Sequence, residues 1–469
     1  MLGASVAPHR SFTRFAHMST PPANTGFRIN ARAVLVLGLP LVGSHVAQFA
    51  LHVVDTVMLG WYSVTDLAAG GLGAMVFFVL FTVGSGFGHA VMPMVATASA
   101  RDDATEVRRV TRMGMWLSLG FSVLALPVFV LATPLLGAMG QDPDVARVGG
   151  GYLQIVGLGL APALLVMVLK SYLAAQGRTQ IVLWATVAAV FVNIGVNWLL
   201  IFGNLGFPEL GARGAAVASV IVQIVTLLAL VAYAVALPAL REHQLLVRFW
   251  RPDWGALRQV NALGLPIGGA MLAETGLFAM SAVMMGWLGK LPLAAHSIAL
   301  EITALFFMVH LGLSNAATVL VGRARGHQNI ESLKAVARAS MILSLLFAAA
   351  TMLIYWTLAD TMVGLFLKPG DPERDLIIPL GVSLVMVAAL FQLADAGQAM
   401  AMGFLRGIQD TRQPMIIAAV SYWLVGVPCS YLLGFVAGWG GVGIWSGLVV
   451  GLTVAAAALH LRFWRTIRG

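Results

Sequence analysis

The sequence predicts an all-α polytopic membrane protein. It places twelve transmembrane helices in two pseudo-two-fold-related six-helix bundles. Three observations predict this. Hydrophobic residues make up 59% of the 469 and charged residues only 10%, against about 25% charged in a soluble globular protein. The apolar runs last about 20 residues, the length of a spanning helix and twice that of a spanning strand, which excludes a β-barrel. Finally, the first half of the chain is repeated in the second.

The elements follow in order. Residues 1–32 carry Arg10, Arg14, Arg28 and Arg32 without an apolar core, so they read as a disordered cytoplasmic tail rather than a cleavable leader. Met18 is a second candidate start. Six apolar runs cover 33–62, 67–97, 113–138, 147–173, 181–203 and 211–238, forming a bundle over 33–240. The stretch REHQLLVRFWRPDWGA, 241–256, is a polar linker. A second bundle over 257–464 contains runs at 257–288, 293–322, 336–367, 376–404, 413–437 and 440–463.

The basic residues test this map. Of 28 Lys and Arg, all but Arg147, Arg213, Lys290, Lys368 and Arg374 fall on the side that holds both termini. By the positive-inside rule that side is cytoplasmic. The net charge of +9 is therefore topological and implies no nucleic-acid partner. The single cysteine, Cys429, excludes an internal disulfide and a cysteine-based metal site.

The repeat is parallel. LGLPLVGSHVAQFALHVVDTVMLGW (37–61) aligns with LGLPIGGAMLAETGLFAMSAVMMGW (263–287) at a constant offset of 226. LAAQGRTQ (173–180) matches LRGIQDTR (405–412), and GARGAA (211–216) matches GGVGIW (440–445). A repeat of six helices keeps its orientation, so the two bundles are related by an axis along the membrane normal and face each other across a central cavity.

Acidic residues inside the spans point to function. Asp55, Glu274, Glu301 and Asp395 lie well within apolar runs, where a carboxylate is costly and marks an ion, proton or substrate pathway. No Lys or Arg is expected deep enough to pair with them, and Lys170 is expected to snorkel to its helix end. In the first helix His45, Gln48, His52 and Asp55 share a stripe about 80° wide. In the second half the position of Gln48 is taken by Glu274 and that of Asp55 by Ser281. Asn193 and Asn197 are one turn apart on the fifth helix, either as helix-helix glue or as a site facing a carboxylate. On the tenth, Phe391, Asp395, Gln398 and Met402 share a face. Pro40 and Pro266 precede Asp55 and Glu274, as static bends or as hinges. Met271, Phe278, Phe391 and Met402 share faces with the acids and suit loosely specified apolar ligands. No Walker A, HExxH, Cys/His metal or Gly-x-Ser-x-Gly pattern occurs, so neither ATP drive nor an enzyme is expected. His89, His296 and His310 are expected to be packed.

These residues resemble the multidrug and toxic compound extrusion (MATE) family, in its NorM-like branch. The resemblance lies in LPLVGSHVAQFALHVVDTVMLG in the first helix and NIGVNWLLIFGNLGFPELGARGAAVAS from Asn193. It continues in AAHSIALEITALFFMVHLGLSNAATVLVG from Ala294 and FQLADAGQAMAMGFLRGIQDTRQP from Phe391. It implies a V-shaped secondary antiporter of the bacterial inner membrane. Such a protein exports cationic amphipathic compounds by alternating access, with Na⁺ or H⁺ as coupling ion and no other cofactor. Asp55, with Gln48, Asn193 and Asn197, falls on the family's proton and substrate positions. Glu274 and Asp395 fall on its cation-binding carboxylates, a Na⁺ candidate site, with Phe391 and Glu301 beside them. Pro40 falls on its helix-bending proline, and Pro266 is the equivalent hinge candidate. Asn197 stands where some members carry Asp, Phe391 where some carry Tyr, and Glu301 where Asn is frequent. The expected partners are small cationic or amphipathic molecules and membrane lipid, and the expected state is a monomer. A lipid-linked oligosaccharide flippase of similar architecture is the alternative, disfavoured by the expected lack of deep Lys or Arg. A non-transporting receptor would explain neither the repeat nor the paired acids.

Overall fold

The computed structural model describes residues 26–368, 370 and 372–468. Among these, twelve helices are long and apolar enough to span a bilayer. In the first half they are α1 (Phe27–Tyr62), α2 (Val64–Ser99), α3 (Ala104–Val130), α4 (Pro143–Ala175), α5 (Thr179–Leu200) and α6 (Ala212–Ala236). In the second they are α7 (Trp254–Leu288), α8 (Lys290–Gly326), α9 (Ile330–Gly364), α10 (Arg374–Gly407), α11 (Arg412–Val436) and α12 (Gly440–Thr466). Residues 1–25, the greater part of the expected tail, lie outside the described residues.

Several helices start earlier than hydropathy suggests, and in α3 and α9 a polar cap extends the helix past the apolar run. α1 begins at Phe27 rather than 33, so Arg28 and Arg32 are helical. α3 begins at Ala104 rather than 113. Asp103 caps it, accepting from the Glu106 N–H at 2.9 Å, and this puts Arg108, Arg109 and Arg112 on the helix. Asn329 caps α9 in the same way, at 2.9 Å from the Ser332 N–H. α3 ends at Val130 and a short helix, Ala132–Ala138, follows it. α4 tightens at Gly157–Gly159, and α11 widens into π-turns at Ser421–Gly426 and Leu432–Val436. The two halves keep the repeat down to single residues. Ser63 alone separates α1 from α2, and Gly289, 226 positions later, alone separates α7 from α8. Gly289 has φ +124°, which only glycine adopts without strain.

The halves meet at the end that carries the termini, here the basic end. The contact is backbone to backbone. A Cβ on Gly86 of α2 would lie 2.4 Å from Gly264 O of α7, and one on Gly268 would lie 2.4 Å from Val83 O. On α8, a Cβ at Gly312 would meet Val42 of α1 at 2.5 Å, and one at Gly326 would meet Thr97 O of α2 at 2.5 Å. Small residues let membrane helices approach this closely. Thr97 Oγ1 donates across the seam to Gly322 O at 3.1 Å, and Gln409 Nε2 donates to Thr97 Oγ1 at 3.3 Å. The opposite end is splayed. Val53 and Met75 lie three turns along the same faces as Val42 and Gly86, yet they are 41% and 56% exposed. The chain thus forms a V that is closed at the basic end.

The linker is strapped to the first half. Arg112 of α3 donates to the carbonyls of Leu245 at 3.0 Å and of Val247, and Trp116 Nε1 donates to Phe249 O at 2.9 Å. Tyr172 of α4 meets His243 Nδ1 at 2.7 Å. Asp253 caps α7 through the Ala256 N–H at 3.0 Å and pairs with Arg109 of α3. The Arg109 guanidinium, followed by the Ala256 N–H, holds the Asp253 carboxyl below the usual carboxylate range. A depressed folded-state value contributes stability above the unfolded value of about 4, and that stability is lost as pH falls through it.

Two predictions follow from the seam and the strap. Gly86→Ala should destabilise the protein by about 1–3 kcal/mol in a thermal melt, because the clash is with backbone. Gly71→Ala, with open space around its Cβ, should not. Asp253→Asn should raise amide exchange across 243–253 at neutral pH to a level that the unmodified chain reaches only below about pH 4.

Candidate functional site

In the first half, α1 carries Asp55 against α5. The Nδ2 atoms of Asn193 and Asn197 both donate to Asp55 Oδ1, at 3.0 and 2.6 Å. Asn197 Nδ2 also lies 3.2 Å from Asn193 Oδ1. The i, i+4 spacing of the two Asn residues puts both amides on one face, and both meet the carboxylate there. His52, one turn before Asp55, is an electrostatic neighbour of it and is exposed. Gln48, also exposed, accepts from Lys170 Nζ of α4 at 3.1 Å. Lys170 therefore turns into the first half, where snorkelling was expected. His45 Nε2 meets Asn315 Nδ2 of α8 across the seam at 3.0 Å.

The second half brings Glu274 of α7 to Asp395 of α10. Gln398 Nε2 donates to Glu274 Oε1 at 3.3 Å, and Glu274 is the charged group that Asp395 feels. Sequence depths alone set these residues at different levels. The structure removes the conflict because α10 has 34 residues, about 51 Å at 1.5 Å per residue, and projects beyond a hydrocarbon core of about 30 Å. Asp395 Oδ1, Gln398 Oε1, both amide atoms of Gln392 and the Tyr422 hydroxyl are buried and make no hydrogen bond within the protein. Tyr422, on the π-turn of α11, feels Glu274, Asp395 and Arg406. Buried oxygens without donors suit a cation or a proton. Among the described residues no three His, Cys, Asp or Glu side chains converge, so a metal ion here would rest on two carboxylates and neutral oxygens.

Three expectations are corrected. Arg406, half-buried with its Nε unpartnered, is an electrostatic neighbour of Glu274; with Lys170, it shows that basic groups do reach depth. Glu301 does not join the Glu274–Asp395 pair. It is exposed and lies within about 20° of Gly312 on α8, so it faces the splayed gap. Phe391 is 1% exposed, and its ring is engaged by Phe278 and Trp445 at 5.9 and 5.6 Å, which makes it a packing group. Pro40 and Pro266 sit beside the seam glycines Gly38 and Gly264. His296 bonds Trp445 Nε1 at 3.0 Å, and His310 bonds Ser344 at 2.8 Å. Sequence reasoning missed Tyr422, Gln392 and Arg406. Arg406 and Gln392 carried a signal on α10: Arg406 lies eleven residues and three turns after Asp395 on the same face, and Gln392 one turn before it at i−3.

If the amides hold Asp55 as the distances indicate, a double-mutant cycle between Asp55→Ala and Asn197→Ala should give a coupling of about 1–3 kcal/mol in thermal unfolding. Replacing Asn204, whose side-chain amide donates to the Trp198 carbonyl at 2.9 Å, should give none with Asp55→Ala.

A family model, MatE, matches residues 40–199 and 266–432, one segment in each half. The chain is 42% identical over 437 residues to the probable multidrug resistance protein NorM of Rhizobium meliloti, covering 93% of this chain and 94% of that one. It is also 42% identical to the NorM of Agrobacterium fabrum, over 95% and 96% of the two chains. Its fold is similar to that of a MATE protein crystallised in complex with MaD3S, with TM-score 0.85 at 21% identity over 97% and 99%. It is equally similar to a multidrug resistance MATE transporter in an outward-facing conformation, with TM-score 0.85 at 22% identity over 94% and 96%. The chain belongs to the MatE family, on its NorM-like branch.

Proposed function

We propose that this chain is a secondary antiporter that expels cationic amphipathic compounds in exchange for entering Na⁺ or H⁺. The observation that supports it best is the pair Glu274 and Asp395. Two carboxylates are electrostatic neighbours inside the second half, and the buried Asp395 Oδ1 lacks a donor. Such a site gains most from a visiting positive charge. The names of the NorM relatives support drug efflux. Cation entry along the membrane potential supplies about 2.3 kcal/mol per charge per 100 mV.

The V supports alternating access. With the basic end cytoplasmic by the positive-inside rule, both termini lie inside and the gap opens outward from a bacterial inner membrane. Closing the gap and parting the glycine seam would present the same chambers to the cytoplasm. In this reading Glu274 and Asp395 hold the coupling ion. Asp55, with Asn193, Asn197 and Gln48, holds the substrate or a proton. Glu301 meets cations entering the gap, and Pro40 and Pro266 absorb the bend. The protein works as a monomer in lipid, with the internal repeat supplying the symmetry. No chemical conversion is involved. Lys170 and Arg406 remove the argument from charge against a flippase, and the NorM relatives are what favours efflux.

The test is uptake of a fluorescent cation into inverted proteoliposomes, driven separately by a Na⁺ or a pH gradient. Asp395→Asn and Glu274→Gln should each abolish gradient-driven uptake while the protein remains inserted and monodisperse. Full uptake by either variant would refute the assignment of that carboxylate.

A further inference from the structure

α11 and α12 pack backbone on backbone toward the splayed end and part toward the basic end. A Cβ on Gly443 of α12 would lie 2.4 Å from the Leu433 carbonyl of α11, one on Gly447 2.2 Å from the Ser430 N, and one on Gly451 2.7 Å from the Gly426 Cα. Beyond Gly451 α12 has no further glycine, and the side chains that follow hold the two helices apart. The parting leaves a groove of about 240 Å³, lined by Ile417 of α11 and by Ala458, Leu461, Arg462, Arg465 and Thr466 of α12. One water needs only about 10–15 Å³.

The groove faces lipid. The gap between the halves opens at the other end, so an exposed apolar side chain on the outside of the basic end meets the bilayer. Ile416 of α11 is 41% exposed, and Val454 and Leu461 of α12 are 40% and 52% exposed. Val454, Leu461 and Arg465 follow one another at helical spacing, so an apolar stripe on the outer face ends in a guanidinium. The 27 residues of α12 rise about 40 Å, close to the roughly 40–45 Å of hydrocarbon and both headgroup layers. Its last turn, which holds Arg465, therefore stands at headgroup level. Arg462 Nε donates to Asp410 Oδ2 at 2.6 Å, which compensates one charge. Arg465 is exposed and forms no ion pair among the described residues. The carbonyls around it are already taken. Thr466 Oγ1 donates to Arg462 O at 2.9 Å, and the Ile467 and Arg468 N–H groups donate to Phe463 O and Arg465 O at 3.2 Å each.

A guanidinium with free donors at headgroup depth, above an apolar floor, matches the phosphate of a phospholipid whose acyl chain continues down the outer face. Uncompensated charge at Arg465 selects a net negative headgroup, because the ammonium of a zwitterionic one would meet the same guanidinium. We propose that the groove between α11 and α12 is a binding site for one anionic phospholipid of the leaflet at the basic end. Arg465 holds its phosphate, and Leu461, Ala458 and Ile417 hold the first carbons of an acyl chain. The site is independent of which ion drives export.

The test is native mass spectrometry of the full chain in detergent, titrated with phosphatidylglycerol or with phosphatidylcholine of the same acyl chains. The first phosphatidylglycerol should bind about tenfold more tightly than the first phosphatidylcholine. Arg465→Gln should abolish that difference, and Arg465→Lys should restore part of it. Ala458→Leu, which narrows the groove and keeps its charge, should weaken the first phosphatidylglycerol. Arg251→Gln, at an exposed arginine of the linker on the same end, should change nothing. Equal affinity for the two lipids, or an equal loss in Arg465→Gln and Arg251→Gln, overturns the proposal, since a diffuse basic surface behaves that way. An unchanged affinity in Ala458→Leu overturns it as well. So does full competition by millimolar inorganic phosphate, which would make the ligand a soluble anion.

Discussion

Hydrocarbon offers no hydrogen bonds, so a carboxyl group carried into it must be met by donors from neighbouring helices. That constraint decides which helices gather around which. Asp55 stands on α1 because α5 brings Asn193 and Asn197 to it on one face. Glu274 stands on α7 because Gln398 of α10 reaches it. Each pairing joins helices distant in sequence and fixes their rotation about their own axes, which packing of Leu and Val alone would leave loose. Removing either carboxylate would leave amides without an acceptor, so these groups also specify the bundles that hold them.

The second constraint is close approach. Gly86, Gly264 and Gly268 bring two backbones within contact on the basic side, where any side chain would hold them apart. Membrane helices gain little from apolar burial against each other, since lipid tails are equally apolar. A seam made of glycine backbone therefore holds by dispersion and a few hydrogen bonds such as Thr97 to Gly322. Such an interface can be separated without exposing a large hydrophobic core to water. The same glycines that close one end leave the other end unsupported, since larger residues such as Met75 take over three turns along the same face.

The spans and their repeat were legible because each rests on about 20 residues of composition. Helix ends were not, because single caps such as Asp103 and Asn329 carry a helix well past its apolar run. The pairing of Asp55 with the two Asn residues could be suspected from spacing, although sequence could not choose between a site and glue. The error over basic residues has a definite cause. Lys170 and Arg406 lie a few residues from the ends of their helices, which suggests that they reach for water. But α4 and α10 run toward the basic end, and side chains lean toward the N-terminus of their helix. Both therefore lean back into the membrane. Glu301 was grouped with the other acids by depth, while its face, set by Gly312, turns it to the gap. Tyr422 had no signal at all, because a π-turn cannot be read from periodicity.

The two halves share a fold and differ in chemistry, and the difference follows from which repeat position bears the charge. At offset 226 the Gln48–Asp55 pair becomes Glu274–Ser281, so the carboxylate moves two turns deeper in the second half. At the shallower position Asp55 Oδ1 is satisfied by two amides, beside exposed Gln48 and His52 that a large molecule can reach. At the deeper position Glu274 faces a second acid, and the surrounding Gln392, Gln398 and Tyr422 oxygens are sealed and without donors. A roomy wall with partnered charge suits an organic molecule whose own groups replace the amides one for one. A sealed pocket with excess acceptors suits only something as small as a proton or a bare cation. An internal duplication that kept both sites identical would bind the same ligand twice. Sliding one carboxylate along its helix is the least change that gives a symmetric scaffold two chemically unlike sites.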